Sequence, residues 1–305
     1  MRILFAGTPT TAATVLEGLI ASGHDVVAVL TREDSLVGRK KVLTPSPVAV
    51  AADKHSLPII KSSKLTPDVL HSISEFKADF AIVVAFGVIL KQEALDSVAN
   101  GWFNLHFSHL PRWRGAAPVQ RAIQAGDSEI GVSLFKIDTG LDTGPVLGVA
   151  DTTIEPDETA GELLARLANI GVSLLNQELP RLYSGNFELT DQDGEVSIAP
   201  KLNREDARIS FSKRGIEVAN LVRAMNPEPI AWCLLANESL RVLRARQVES
   251  SIQLSIGAVS VAGNKVLVGC GDGSTLELLE VQPASKNVMS AYSWMNGQSG
   301  KVVLE

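Results

Sequence analysis

Between Arg2 and His106 the chain alternates short apolar runs with stretches of helical apolar spacing, and this alternation restricts its fold more than any other feature. Parallel strands need long crossovers, usually helices, so the pattern predicts an α/β domain built on an open, mostly parallel, doubly wound sheet. Arg2–Ala6 reads as a strand and Gly7-Thr-Pro9 as the turn into a helix. Ala12, Val15, Leu16, Leu19 and Ile20 share one face of that helix, and Gly23 ends it. Asp25–Leu30 is the next strand. A helix over 47–54, a strand over 58–60 and a helix over 67–75 lead to apolar strands at 79–86 and 102–106.

A different organisation follows. Residues 158–182 predict a long helix, with Leu163, Leu164, Leu167, Ile170, Leu174 and Leu175 on its buried side. Polar residues accumulate from Ser184 to Glu195. Beyond them lie an amphipathic helix over 215–224 and short strands at 232–235, 240–245, 257–261, 265–268 and 275–281, a pattern that fits a small barrel. The expected division is a first domain over 1–184, a linker over 185–207 and a second domain over 208–305.

Composition narrows the class of protein. With 45% hydrophobic and 20% charged residues, the chain is typical of a soluble globular protein. Its apolar run Phe80–Phe86 is too short to span a bilayer, and its first residues lack the long apolar stretch of a signal peptide. Cys233 and Cys270 have neither metal-ligand nor redox spacing, so buried thiols in a reducing cytoplasm are expected. The formal charge is −6, but it is uneven. Residues 1–199 carry 16 Lys+Arg against 24 Asp+Glu (−8), whereas 200–305 carry 12 against 10 (+2), so a local basic surface for nucleic acid is not excluded.

The chemistry-bearing residues are concentrated in two places. Asn104 and His106 are two apart at the end of a strand and therefore share a face. They precede Ser108-His-Leu-Pro-Arg-Trp-Arg-Gly-Ala-Ala-Pro118, and Gly140-Leu-Asp142-Thr-Gly144 follows. Taken singly, the Asn is an ordinary turn residue, the His a structural one and the Asp a loop-closing one. Together an amide, an imidazole and a carboxylate equip a site for acyl transfer: an oxyanion donor, a proton carrier and an orienting group. Gly7-Thr-Pro9 lacks the G-x-G-x-x-G and Walker A patterns, which argues against ADP or ATP. The five histidines include no His-x-x-x-His pair, and no third ligand has suitable spacing beside His106 and Asp142, so no metal is expected.

These motifs resemble those of methionyl-tRNA formyltransferases, and the resemblance covers nearly the whole chain. The trio Asn104, His106 and Asp142 marks folate-dependent formyltransferases in general, whereas Arg112-Trp-Arg-Gly-Ala-Ala-Pro118 is more specific. Phe5–Pro9, the Gly38–Lys41 to Pro45–Pro47 loop, Val84–Leu90, Gly271–Gly273 and Gln282–Ala284 also fit. The chain departs from the family pattern at Thr10-Thr11, at Phe107 where glycine is usual, at His109 where leucine is usual, and at Phe86 where tyrosine is usual.

The resemblance implies a Rossmann-like catalytic domain followed by an OB-like β-barrel that binds tRNA. It implies transfer of a formyl group from 10-formyltetrahydrofolate to the α-amino nitrogen of methionyl initiator tRNA. The expected protein is a cytoplasmic monomer without a metal. On that reading Asn104 donates to the oxyanion, His106 donates to it and relays protons, and Asp142 orients His106 and favours its charged form. Folate is expected along Phe86, Gly87, Ile89 and Leu90 and along Ser108, His109, Leu110 and Pro111. The basic loop Arg39, Lys40 and Lys41 is expected to read the tRNA acceptor stem, with Arg39 as the matching arginine. Arg204, Arg208, Lys213, Arg214, Arg241, Arg244 and Arg246 are expected to position its backbone. Three other readings share these residues: formyl transfer to a sugar nucleotide or other small amine, hydrolysis of the formyl donor, and a non-catalytic RNA-binding protein.

Overall fold

The computed structural model describes residues 1–38 and 40–305. In chain order the first part runs β1 (Arg2–Gly7), α1 (Thr10–Ala21), β2 (Asp25–Thr31), β3 (Ser35–Val37), β4 (Val42–Thr44), α2 (Pro47–Lys54), β5 (Ile59–Lys61), α3 (Pro67–Glu75), β6 (Phe80–Val84) and α4 (Gln92–Leu95). It continues through β7 (Trp102–His106), β8 (Arg114–Gly115), α5 (Pro118–Ala125), β9 (Glu129–Lys136), β10 (Val146–Thr153), α6 (Ala160–Ser184) and β11 (Ile198–Ala199). A seven-stranded sheet has the order β10-β9-β7-β6-β1-β2-β5. Neighbours from β5 to β7 pair in parallel, and β9 runs antiparallel to β7. The expected Rossmann-like, mostly parallel sheet is thus present. The β9 and β10 strands extend it beyond the sequence-based expectation.

Each face of the sheet is covered. On one, Leu4, Ala6, Ala28, Leu30, Ala81, Val83 and Trp102 form a core with Ile73, Phe86, Leu90 and Ala94. The buried Trp102 indole donates to the Ala94 carbonyl at 2.8 Å, so its one polar atom is satisfied. Leu105 points the other way, toward α6. A Cβ placed on Gly171 would lie 2.5 Å from the Leu105 side chain, so the helix can sit this close only because position 171 has none. The covered Leu105 face leaves Asn104 and His106 on the other side of β7.

The chain divides into two compact units. The first comprises Met1–Pro118, Ile130–Thr152 and Leu164–Ala199; the second comprises Val119–Glu129, Thr153–Leu163 and Pro200–Glu305. The second unit is β-rich. Its strands β12 (Ala231–Leu235), β13 (Glu238–Val248), β14 (Val259–Ala262), β15 (Lys265–Gly269) and β16 (Thr275–Pro283) form an antiparallel sheet in the order β12-β13-β16-β15-β14, and β17 (Met289–Ser290) pairs with β16. Register shifts at Val242/Arg244 and Arg244/Ala245 mark bulges in β13, which sharpen its twist. Helices α7 (Gly215–Ala224) and α8 (Ala291–Asn296) pack on this sheet.

Both cysteines are buried in the second unit. Burial pushes the Cys233 thiol up to about 12, and burial followed by the Asp272 charge pushes Cys270 up to about 11. The thiolate is the nucleophile, so neither residue is expected to react with Ellman's reagent at pH 8 in the native protein, and both are expected to react after denaturation. Fast labelling of the native protein would contradict this burial.

The first turn of α6 carries a capping box. The Thr159 backbone N–H and hydroxyl donate to Glu162 Oε2 at 2.9 and 2.8 Å, and the Glu162 backbone N–H donates to Thr159 Oγ1 at 3.3 Å. Arg244 Nη2 donates to the other carboxylate oxygen of Glu162. The Thr159 backbone bond first, and then Arg244, hold the Glu162 carboxyl down at about 2, below its ordinary 4.5. A depressed carboxyl pKa contributes stability that is present above about pH 4.5 and is lost as pH falls toward 2. Because the Glu162 side chain is 48% exposed, solvent screening limits the effect to about 1 kcal/mol. Glu162→Gln should lower unfolding free energy by about that amount at pH 7, and the difference should vanish near pH 2 in urea titrations.

Candidate active site

The site is built at the end of β7. In the sheet, Asn104 pairs with Val83 of β6 and Phe135 of β9, and His106 pairs with Ser133. In open α/β sheets this carboxyl edge of the parallel strands is where ligands bind. Among the described residues the Asn104 amide has no hydrogen-bond partner, so its N–H groups remain available to a ligand. His106 is 6% exposed, and its Nε2 lies 2.9 Å from the Trp113 carbonyl oxygen. A carbonyl can only accept, so Nε2 carries the hydrogen and Nδ1 is the proton-accepting atom of the neutral ring. Asp142 Oδ2 lies 3.9 Å from Nδ1, beyond direct hydrogen-bond reach but close enough for charge to act.

Asp142 is held by its loop. Its Oδ2 accepts the Gly115 backbone N–H at 2.7 Å, tying it to β8. The Asp138 carboxylate accepts from the Gly140 N–H at 2.9 Å and from the Thr143 hydroxyl at 2.7 Å, closing the turn. The sharp backbone angle falls on Asp142 itself, at φ +51, and Asp tolerates that region better than most residues. Gly144 serves a different purpose: a Cβ there would lie 1.8 Å from the Lys136 carbonyl oxygen. Its hydrogen is required for close backbone approach.

The Ser108–Pro111 loop lies beside the trio and is braced from β9. The buried Ser133 hydroxyl donates to the Ser108 carbonyl at 2.7 Å and accepts the Leu110 N–H at 3.1 Å. Ser108 Oγ donates to the Arg112 carbonyl at 2.6 Å. Phe107 is buried and keeps a negative φ, so this path does not need the glycine usual in the family. The exposed His109 side chain turns to Asp151 of β10, with Nδ1 2.7 Å from Oδ1. At the end of β6, Phe86 and Leu90 are only 1% and 6% exposed and belong to the core, whereas Ile89 is 84% exposed. Left-handed Ala85 (φ +46) and Gly87 (φ +74) turn the intervening chain outward.

The basic hairpin β3–β4 follows β2, with Lys40 and Lys41 in its turn. Arg39 lies outside the described residues. Leu36, Val37, Val42 and Leu43 of the hairpin are all more than half exposed. Among the described residues the hairpin makes no hydrogen bond or ion pair with the trio. Also among them, no cluster of three or more His, Cys, Asp or Glu side chains is arranged to hold a metal ion, and no helix is long and apolar enough to cross a membrane.

Residues 1–179 match the formyl transferase family and residues 201–299 match the formyl transferase C-terminal domain. The chain is 45% identical over 297 residues to methionyl-tRNA formyltransferase of Renibacterium salmoninarum, covering 97% of this chain and 96% of that one. It is 43% identical over 304 residues to the enzyme of the same name from Leifsonia xyli subsp. xyli, covering both chains fully. The chain belongs to the methionyl-tRNA formyltransferase family. Among solved structures, an N-formyltransferase of Helicobacter canadensis in complex with folinic acid and dTDP-3-aminofucose superposes with TM-score 0.68 at 20% identity, over 93% of this chain and 99% of that one. HypX from Aquifex aeolicus in complex with tetrahydrofolic acid also gives 0.68, at 16% identity, over 99% of this chain and 50% of that one. At those identities the likeness is one of fold.

Two supports of the site carry no sequence signal. The Ser133 hydroxyl and the Trp113 carbonyl each act by position rather than by motif, although Trp113 at least falls within the family-specific run.

Proposed function

We propose that the chain transfers the formyl group of 10-formyltetrahydrofolate to the α-amino group of methionyl initiator tRNA, for the initiation of protein synthesis. The observation that carries this reading is an unpartnered Asn104 amide beside a tautomer-fixed His106, in a chain matching methionyl-tRNA formyltransferases over their whole length. The α-amino group has a reference pKa of about 7.7–8.0, so part of it is already a neutral nucleophile at pH 7. The chain therefore needs to align amine and formyl carbon, stabilise the developing oxyanion and move one proton.

Asn104 donates to the oxygen on which negative charge develops. His106 Nδ1 takes the proton that the amine loses and passes it toward the departing folate nitrogen, while Nε2 stays bonded to Trp113. Asp142 faces Nδ1 and stabilises the imidazolium while the proton is held there. The formyl donor supplies the electrophilic carbon. The outward-turned backbone at Gly87 and Ile89 and the braced Ser108–Pro111 backbone suit the polar edge of its ring, with Ile89 as an apolar flank. Phe86 and Leu90 act here through their backbone, because their side chains are in the core.

On this reading residues 1–184 are catalytic, 185–207 link, and 208–305 form an OB-like barrel that holds tRNA, in a monomer working in the cytoplasm. Arg204 and Arg208 stack over Trp232, with guanidinium carbons 4.9 and 5.5 Å from the ring centroid, a surface suited to phosphates. Arg39, Lys40 and Lys41 read the acceptor end. Arg39→Ala should raise KM for initiator tRNA at least several-fold and leave formyl-donor affinity unchanged; equal kinetics with tRNA would remove Arg39 from the account. The reaction itself is tested by offering charged initiator and elongator methionyl-tRNA side by side. Formylmethionine on the initiator is expected, and no formylation of either would overturn the proposal.

A further inference from the structure

The polar segment that follows α6 makes a series of contacts with the loops of the site. Thr190 exchanges backbone hydrogen bonds with Val146 at 2.8 and 2.9 Å. The Ser197 hydroxyl accepts the Trp113 N–H at 2.9 Å, and the Ser197 carbonyl accepts the Arg114 N–H at 2.9 Å. Ile198 and Ala199 then form β11 in parallel with β8. Trp113 and Gly115, which bond to His106 and Asp142, are therefore also bonded or paired to this strap.

Gln192 is the centre of the strap. Its Nε2 donates to the Asp142 carbonyl and to the Gly144 carbonyl, both at 2.8 Å. Its Oε1 accepts from Arg114 Nε at 3.1 Å and Nη2 at 2.6 Å. Both amide hydrogens and both oxygen lone pairs are thus used, which fixes the orientation of the amide. One side chain links the backbone of the carboxylate loop to the strand whose Gly115 N–H holds the Asp142 carboxylate.

We propose that Gln192 is a positioning residue for the reaction: it sets the place of Asp142, and through it of the His106 proton, without touching substrate. This inference rests on the function proposed above. The Gly115 N–H holds left-handed Asp142 at its carboxylate, and Gln192 holds the same loop at its backbone, through the Asp142 and Gly144 carbonyls. The amide of Gln192 adds a second link between these two segments, beside the Gly115 bond.

The test is a kinetic cycle in the full-length protein, with single-turnover formylation of methionyl initiator tRNA. Gln192→Met keeps the length of the side chain and removes all four hydrogen bonds. We expect its kcat to fall about 10–100-fold with KM for both substrates within about threefold, since an ångström-scale misplacement costs on the order of 10²-fold. Combined with Asp142→Ala, Gln192→Met should add almost no further loss, because it acts through Asp142. If Gln192→Met does not fold, Gln192→Glu is used in the same cycle; it keeps the Arg114 pair but sets an oxygen against the two carbonyls. Wild-type kcat in either folded variant, or a full additional loss on top of Asp142→Ala, would overturn the inference. Failure of the wild-type protein to formylate would instead overturn the proposed function.

Discussion

Asn104→Ala should slow single-turnover formyl transfer by about 10²–10³-fold, the usual cost of one oxyanion donor, while leaving the folded protein nearly as stable as before. The two halves of that expectation have one cause. The Asn104 amide has no partner among the described residues, so truncating it strands no buried donor or acceptor, and the stability change should stay within about 1 kcal/mol. His106→Ala differs. It removes a buried ring that donates to the Trp113 carbonyl, so it should cost a comparable factor in rate and also about 1–3 kcal/mol in stability. Thermal unfolding and single-turnover rates on the same preparations separate the two. If Asn104→Ala transferred formyl within a few-fold of wild type, the oxyanion role would fall. If it lost stability as His106→Ala does, the amide would be structural.

Gly144→Ala should be the most damaging single methyl in the site. The added Cβ would sit 1.8 Å from the Lys136 carbonyl oxygen, a backbone atom that no rotamer change can move. The Lys136 N–H also donates to the Pro145 carbonyl at 2.9 Å, so the end of β9 and the loop carrying Asp142 must separate to admit it. Overpacking against backbone should cost about 2–4 kcal/mol, and the shift of Asp142 should lower the rate at least tenfold beyond what unfolding explains. Urea unfolding and single-turnover rates below the transition would show both effects. A fully active, fully stable Gly144→Ala protein would mean that the loop does not take this path.

The parallel half of the fold was legible because its strands are short, continuous apolar runs separated by helical spacing. The antiparallel extension was not. Gly131 and Ser133 interrupt the apolar run of β9, and β10 is an edge strand with exposed Val149, Asp151 and Thr153. In the site, Asn104, His106 and Asp142 were legible as a constellation because residue type and spacing carry their chemistry. Gly140 and Gly144 bracket Asp142, yet the left-handed angle falls on Asp142 itself, and Gly144 is required for space. Folate was expected along Phe86 and Leu90, but an apolar residue type does not distinguish a ligand-lining side chain from a core one, and tertiary packing took both inward. Ser133 and Gln192 were invisible because each reads backbone atoms distant in sequence.

The most direct test of the account places two amines in competition for one formyl donor. Methionyl initiator tRNA and a nucleotide-linked amino sugar are offered together with 10-formyltetrahydrofolate, and the formylated product is identified by mass spectrometry. The account predicts formylmethionine on the tRNA and no formylated sugar. Formylation of the sugar alone, or release of formate with neither amine modified, would contradict it.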